Sequence, residues 1–377
     1  MLKILHIIPS LSKGGAERLV ITICNELQKR SDVEVRLMVM SNTNDYAQEM
    51  GTLSYNVVPA LFVPSFTKKS KRDVSQLQSY IEAYAPNVIH THLWQSEIVC
   101  SQINYPNALW VTHMHDNMPQ LKRIRIPRTK LELTNAYERW IVSSAYKKRN
   151  AHFIAISQDT HTYCKRNIPK KLRHSVSLLH NAINIKLFEH TKSIEIPITT
   201  IKLVSVGSLV HKKNHVFLIP VVSHLISRGY AVQLDILGEG PLRKELEQEI
   251  SKQNLTNTIC LQGNVPVYEY YKQAQLYVHP ATYEPFGLVI IEAMAAGLPV
   301  VCLDGKGNRD IIEQGKNGCM FFEQNPTLFA EKIIEICQDK EMYTSMSTYA
   351  VNFAKQYDIV PYVDRLLELY TKSITNA

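Results

Sequence analysis

No apolar run in this chain is long enough to cross a bilayer. The longest early one, Leu2 to Leu11, falls well short of the roughly 20 residues that a spanning helix needs. It is also a poor secretory leader, because only Lys3 supplies an n-region charge and Lys13-Gly14-Gly15-Ala16-Glu17-Arg18 stands where a small-residue cleavage site belongs. The stretch reads as a first β-strand, and a cytoplasmic protein is expected. Cys24, Cys100, Cys164, Cys260, Cys302, Cys319 and Cys337 include no C-x-x-C pair. Their odd number and wide spacing argue against a disulfide framework or a zinc site, and seven reduced thiols are expected. The missing G-x-G-x-x-G argues against a nicotinamide enzyme, and the missing G-x-x-x-x-G-K-[ST] against a P-loop enzyme. No tandem repeat of short period is present.

What is present is an alternation of short β-branched runs with helical patterns, repeated twice. A length of 377 residues suggests two domains, and 45% apolar with 20% charged residues is a globular balance. In the first series, strands are expected at Lys3–Ile8, Val33–Met40, Asn87–His90, Leu109–Thr112 and His152–Ile156. Helices are expected at Ala16–Arg30, with Leu19, Val20, Ile23, Cys24 and Leu27 on one face, and at Val74–Tyr84. The pattern restarts at Ile201–Val206. Strands follow at Val232–Leu237, Thr258–Gln262, Gln275–His279 and Pro299–Leu303, with helices at Asn214–Arg228, Leu242–Gln253, Leu288–Ala296 and Pro326–Gln338. This order predicts an α/β protein of two Rossmann-like parallel-sheet domains, 1–190 and 201–356. The link falls at His190–Thr200, where Ser193, Pro197 and two threonines cluster. A last helix, Tyr357–Ser373, carries Val360, Val363, Leu366, Leu367, Leu369 and Tyr370 at helical spacing. Ligands of parallel α/β sheets bind beyond the carboxyl ends of the strands, so two such domains facing across a cleft would hold a ligand between them.

The net charge of +8 is concentrated. Residues 121–150 hold nine basic side chains (Lys122, Arg123, Arg125, Arg128, Lys130, Arg139, Lys147, Lys148, Arg149) against Glu132 and Glu138, a local excess of +7. Lys68, Lys69, Lys71 and Arg72 form a second cluster. Basic surfaces of this kind attract phosphates or anionic headgroups. An anionic membrane surface is therefore the expected partner of 121–150, with Trp140, Ile141 and Tyr146 placed to insert and the inner face of the cell membrane as the peripheral location.

The most informative stretch runs from Tyr283 to Pro299: Glu284-Pro285-Phe286-Gly287-Leu288, then an apolar helix containing Glu292 and ended by Gly297. Free amides at a helix start, with the helix dipole, favour an anion such as a diphosphate by about 0.3–1 kcal/mol for the dipole alone. Gly287 lets backbone approach that anion. Glu284 before the helix and Glu292 inside it can point toward one ligand. Carboxylates accept from vicinal hydroxyls, so one suits a sugar and the other a ribose. A carboxylate at Glu292, on a helix apolar almost all round, needs a partner.

This stretch resembles the E-x7-E signature of the retaining GT-B glycosyltransferases of family 4. The resemblance implies that Glu284 contacts the donor sugar, that Glu292 contacts the ribose, and that the backbone of Phe286, Gly287 and Leu288 meets the diphosphate. Gly14-Gly15 opens the first helix and, read alone, is either a plain turn or an anion site. The family resemblance places Gly15 near donor phosphate and acceptor. Gly207-Ser208-Leu209-Val210-His211-Lys212-Lys213 is the matching loop of the second half. Lys213 can neutralise the leaving diphosphate, whereas Ser208 stands where the family usually has an arginine, with Lys212 or His211 as substitutes. Thr112-His113-Met114-His115-Asp116 ends a strand, where a histidine can hydrogen-bond a sugar hydroxyl or stabilise positive character near the anomeric carbon; it resembles the family's strand-end histidine, at His115 in preference to His113. His90 and His92 are read as structural. Gly238 lies in a turn resembling the one near the nucleotide, and Gly263-Asn264-Val265-Pro266 resembles the loop beside the base. The family also implies that the closing helix, 357–377, crosses back to the first domain.

The resemblance thus implies a metal-independent retaining transferase without cofactor. It would use a nucleoside diphosphate sugar and a lipid-linked or oligosaccharide acceptor in bacterial surface-polysaccharide assembly, with no nucleic-acid partner. Competing readings are a nucleotide-sugar epimerase or hydrolase on the same fold, or a non-catalytic nucleotide-sugar or nucleic-acid binding module.

Overall fold

The computed structural model describes residues 1–65, 68–189 and 200–375. The chain divides into two compact units, 1–182 with 359–377, and 183–358. Each is described by itself.

In unit 1 the first run forms β1 (Leu2–Ile8), followed by α1 (Gly15–Leu27), β2 (Val33–Val39) and β3 (Tyr55–Val57). A hairpin of β4 (Leu61–Val63) and β5 (Lys71–Asp73) leads into α2 (Ser75–Tyr84). The chain then lays down β6 (Val88–His92), α3 (Leu93–Cys100), β7 (Leu109–Met114), α4 (Lys130–Tyr146), β8 (Asn150–Ala155), α5 (Gln158–Asn167) and β9 (Val176–Leu178). The seven-stranded sheet has the order β3-β2-β1-β6-β7-β8-β9, and its strand pairs are parallel. Leu19, Val20, Ile23, Cys24 and Leu27 are buried, so the helical face read from the sequence is the one that packs. Leu5, Ile7, Ile89, Trp110 and Phe153 enter one core of this unit together with Leu77, Ile81 and Val142 from the helices.

Unit 2 repeats the plan. It contains β10 (Thr200–Val206), α6 (Leu218–Ser227), β11 (Ala231–Leu237), α7 (Arg243–Lys252), β12 (Ile259–Gly263), α8 (Val267–Gln273) and β13 (Leu276–His279). It continues with α9 (Leu288–Ala295), β14 (Val300–Leu303), β15 (Gly318–Phe321), α10 (Pro326–Gln338) and α11 (Lys340–Ala354). Its parallel sheet runs β12-β11-β10-β13-β14-β15. The helix expected over 214–228 is shorter. Asn214 is left-handed at φ 54° and its amide reaches the Pro280 carbonyl and Gln324, so a 3-10 turn, His215–Phe217, precedes α6.

The boundary between units lies upstream of the expected 190–200 link, which falls almost wholly outside the described residues. Ile183 donates its N–H to the Tyr357 carbonyl and bridges Asp358, which ties the 183–189 segment to unit 2. The closing helix, α12 (Ile359–Thr375), belongs to unit 1. Its buried stripe is Ile359, Tyr362, Val363, Leu366 and Tyr370. Val360, expected on that stripe, is exposed.

In each sheet the chain first builds outward on one side of its first strand and then returns to the other side. Reversal points therefore lie between β1 and β6 and between β10 and β13. In open parallel sheets such a point leaves a crevice beyond the carboxyl ends of the two strands, where ligands bind.

Candidate active site

The reversal point of unit 2 is where the predicted charges meet. β13 ends at His279, and the chain turns through Glu284 into α9. β10 ends at Val206, and the following loop carries Gly207, Ser208 and Lys213. Lys213 Nζ lies 2.5 Å from Glu284 Oε2, and His279 Nε2 lies 3.0 Å from the same oxygen. The Glu284 side chain is 9% exposed and that of Lys213 16%. Burial alone would raise the Glu284 carboxyl. The Lys213 ammonium and the His279 hydrogen bond outweigh it and hold the carboxyl well below its ordinary 4.5. Burial pushes His279 down, opposed by Glu284. The ring is thus neutral and gives its single N–H to Glu284 from Nε2. The Tyr277 hydroxyl lies 3.1 Å from Nδ1 and donates to the Val206 carbonyl at 3.3 Å, which packs it against the His279 ring.

Backbone fixes the same carboxylate. Glu284 N donates to the Gly305 carbonyl at 2.8 Å, and Gly307 N donates to the Glu284 carbonyl at 3.0 Å. A Cβ at Gly307 would lie 1.9 Å from the Pro285 carbonyl oxygen, so only glycine allows this approach. Gly287 caps α9 at φ 108°, a region that disfavours side chains, and leaves the amides of Leu288 and Val289 without helical acceptors. Glu292 sits one turn inside α9 and is 2% exposed. Phe286 is also 2% exposed, its ring packed 5.8 Å from that of Tyr357. Only its backbone remains for a ligand. Gly238 is held at φ 138°, where a Cβ would meet the Gly207 carbonyl oxygen at 2.2 Å. The two loops beyond β10 and β11 are therefore pressed together. Ser208 is exposed on that loop and brings no positive charge. His211 and Lys212 are exposed too, and the Lys212 carbonyl accepts from Thr282 and Tyr283, which ties the loop to the segment before Glu284.

In unit 1 the reversal point carries Gly15 and the strand-end histidines. Gly14 is the N-cap of α1, extended at φ −169°. Its N–H and C=O both bond the Tyr46 hydroxyl, at 2.8 and 2.6 Å. Gly15 is exposed at the first helical position. His115, just beyond β7, is 9% exposed, and its Nε2 lies 2.9 Å from His92 Nδ1. His90 and His92, read as structural from sequence, are fully buried in the same cluster.

The sequence reasoning missed His279 and Tyr277. The signal was available, since His279 is the last residue of a strand whose carboxyl end faces the reversal crevice. The basic segment is also less uniform than its composition implied. Arg149 donates to the Cys100 and Ile103 carbonyls and lies 3.8 Å from the Trp110 ring, and Arg139 donates to the Leu121 and Asn167 carbonyls. Tyr146, expected to insert into a membrane, is buried and bonds Glu97 at 2.8 Å. Ile141 packs partly against the core, whereas Trp140 is 64% exposed. Among the described residues no helix is long and apolar enough to cross a membrane.

Known proteins match both halves. The family model described as Glycosyltransferase Family 4 matches residues 13–187, and the one described as Glycosyl transferases group 1 matches 188–353. The chain is 25% identical over 374 residues to a Campylobacter jejuni enzyme, N-acetylgalactosamine-N,N'-diacetylbacillosaminyl-diphospho-undecaprenol 4-alpha-N-acetylgalactosaminyltransferase, covering 93% of this chain and 94% of that one. It is 28% identical over 174 residues to poly(glycerol-phosphate) alpha-glucosyltransferase of Bacillus subtilis, covering 45% of this chain and 26% of that one. Anabaena HepE in complex with UDP-glucose has the same fold, with a TM-score of 0.77 at 19% identity, covering 99% of this chain and 100% of that one. Two adjoining family models, two Rossmann-like parallel sheets and an acid–lysine pair before a glycine-capped helix lead to one assignment: the chain belongs to the group 1, family 4 glycosyltransferases of the GT-B fold.

Proposed function

We propose that this glycosyltransferase moves a sugar from a nucleoside diphosphate donor to a hydroxyl of a lipid-linked saccharide, with retention at the anomeric carbon and without a divalent metal. The observation that carries the reading is the buried Glu284–His279 pair with the half-buried Lys213, beside the amide end of α9. Glu284 accepts hydrogen bonds from sugar hydroxyls. Lys213, its present partner, is shared with the diphosphate once a donor arrives. The ammonium and the α9 amides then stabilise the charge that grows on the leaving phosphate, and their fixed placement lowers the barrier because nothing must reorganise. Glu292, one turn on, suits the ribose. The leaving phosphate takes the acceptor proton on the same face of the sugar. HepE was crystallised with UDP-glucose, and the Campylobacter relative is named for an undecaprenol-linked acceptor. Both support a nucleotide-sugar donor and a lipid-linked acceptor here.

The acceptor class fits a membrane-facing surface on unit 1. Ile126, Leu131, Leu133 and Trp140 are 49–71% exposed, and Lys122, Arg123, Arg125, Arg128 and Lys130 are exposed among them. Each such cation near an anionic surface adds about 1 kcal/mol.

The test pairs purified enzyme with a panel of nucleotide sugars and short polyprenyl-diphosphate saccharides, in EDTA, with anomeric configuration read by NMR. One donor is expected to be transferred with its configuration kept. Free sugar or an isomer without acceptor, an inverted product, or activity restored only by magnesium would each overturn the corresponding part. Co-sedimentation with anionic vesicles should weaken at least tenfold on replacing Lys122, Arg123 and Arg125 by glutamine, and unchanged sedimentation refutes the docking surface.

A further inference from the structure

Five histidines meet on one face of the unit 1 sheet. His6 on β1 stands opposite His90 on β6, and His92 on β6 opposite His113 on β7. His115 follows two residues on. Strand alternation puts His90 with His92 on the same side, and beyond the end of β7 the His115 ring stacks 4.2 Å from that of His113. Four of the five are 0% exposed and His115 is 9%. Burial pushes His6 down to about 3 and His113 to about 4, and holds His90, His92 and His115 well below their ordinary 6.5. The rings are therefore neutral.

Two groupings, His6-His90-His92 and His92-His113-His115, bring ring nitrogens within 4.8 Å of one another, as a metal site would. The ring planes decide against it. A metal lies in the plane of each imidazole that binds it, about 2.0–2.1 Å from nitrogen. His113 and His115 are stacked 4.2 Å apart at 6°, and the planes of His6, His90 and His92 lie within 37° of one another. Each grouping contains a stacked pair, His6 with His92 at 15° and His113 with His115 at 6°, and stacked planes do not converge on one ion, although His92 is tilted 34–38° from His113 and His115. They suit hydrogen bonds run edge to edge.

Those bonds form two threads. His6 Nδ1 lies 2.9 Å from His92 Nε2, and His92 Nδ1 lies 2.9 Å from His115 Nε2. Beside them the Tyr370 hydroxyl lies 2.5 Å from His90 Nδ1, and His90 Nε2 lies 3.2 Å from His113 Nδ1. A neutral imidazole has one N–H and one lone pair. In the first thread, the position of one proton therefore fixes all three rings. If every Nε2 carried hydrogen, His6 Nε2–H would be a buried donor, and among the described residues that atom has no partner. If every Nδ1 carries hydrogen, the atom left over is a lone pair. A buried orphan N–H is the rarer and costlier defect.

We propose that His6 and His92 are positioning residues that hold His115 in a single neutral tautomer, Nε2 accepting from His92 and Nδ1–H turned to the ligand. His115 then donates a hydrogen bond to a sugar oxygen and does not act as a base. Among the described residues the titratable rings against this thread are those of His90 and His113, with the Tyr370 hydroxyl from α12 behind His90, and burial keeps all three uncharged at neutral pH. The proposal rests on the reading of His115 as a donor-sugar contact.

The experiment uses the full chain with 15N-labelled histidine, read by two-bond proton–nitrogen correlation from about pH 5 to 8, the range in which free histidine titrates. His115 is expected to show a bare Nε2 and a protonated Nδ1 throughout. In His92→Asn the amide nitrogen stands where Nδ1 stood, so the tautomer and at least a third of glycosyl transfer should remain. His92→Gln reaches the Nε2 position and loses the donor. There His115 should exchange tautomers or titrate, and transfer should fall at least tenfold. A protonated Nε2 on His115 in the wild type overturns the proposal, and that spectrum decides even if His92→Gln does not fold. One bound zinc per chain by elemental analysis also overturns it. His115→Ala separates the two layers. Full transfer in that variant overturns the site reading while the spectra still judge the thread. Lost transfer with an unaltered tautomer in His92→Gln overturns the thread alone.

Discussion

Consider a double-mutant cycle on Lys213 and Glu284, made as Lys213→Met, Glu284→Gln and the pair. At 2.5 Å, with an effective dielectric near 20, two unit charges attract by roughly 7 kcal/mol before desolvation. The net value is far smaller, because both charges have left water. Removing one partner of a fully buried pair costs about 3–5 kcal/mol. Here the Lys213 side chain is 16% exposed and can lean toward solvent, so each single variant should lose about 1–3 kcal/mol, less than a fully buried pair would. Glutamine keeps an acceptor for His279, which confines the Glu284→Gln loss to charge. Replacing both should cost little more than replacing one, giving a coupling energy of about 1–2 kcal/mol, inside the span found for contacting residues.

The sign of the pH dependence follows from Glu284. Its folded carboxyl lies below the ordinary 4.5, so its contribution is complete above about 4.5 and fades as pH falls toward the folded value. The coupling should therefore be constant from pH 8 to 6 and begin to shrink below 4.5. Denaturant unfolding at pH 7 and pH 4 measures it. Trp94, Trp110 and Trp140 all lie in unit 1. Tryptophan fluorescence therefore follows that unit, and far-ultraviolet circular dichroism adds unit 2. The loss should enter the dichroism transition. A coupling below about 0.5 kcal/mol, the limit of additivity, or one unchanged down to pH 4, refutes the account of this pair.

The fold was legible in the sequence because parallel sheets buried on both faces write themselves as β-branched runs. β1, β2, β10 and β11 could be placed almost to the residue. The same logic exposed α1, whose buried residues repeat at helical spacing. It failed for α12 by a fraction of a turn: Val360 and Tyr362 are both apolar enough to serve, and only packing chooses Tyr362. Short elements such as β4, β5 and β9 carry too few residues for periodicity to register. At the site, Glu284, Gly287 and Lys213 were legible because turn chemistry and charge leave local marks. Tyr277 and His279 act through a carboxylate several residues away, a relation that only folding creates. The basic stretch illustrates the opposite error. Composition counts Arg149 and Lys147 alike, yet the first is spent on buried carbonyls and a tryptophan ring while the second is exposed.

The remaining predictions concern how Glu284 is held. Tyr277→Phe removes the hydroxyl beside His279 Nδ1, so the His279 ring loses one of the two contacts that orient it; transfer should fall three- to tenfold in steady-state assays while the fold loses only about 1 kcal/mol. Gly287→Ala places a Cβ 2.9 Å from Ile290 Cδ1 at a φ of 108°, which should cost about 1–3 kcal/mol in unfolding experiments and raise the donor KM. Gly307→Ala is the sharper case. Its Cβ would stand 1.9 Å from the Pro285 carbonyl oxygen and 2.6 Å from that of Glu284, both backbone atoms that no rotamer change relieves. The Gly307 N–H also donates to Glu284, so the loop must withdraw and carry the carboxylate off its place beside Lys213. A shift of about 1 Å at such a group is enough for a hundredfold loss of transfer. Thermal unfolding and kcat should therefore fall together in Gly307→Ala. In Gly315→Ala, where a Cβ meets nothing within 4 Å but φ is 75°, stability should fall while kcat holds. Equal loss of kcat in both variants would mean that the contact between this loop and Glu284 does not set the position of the acid.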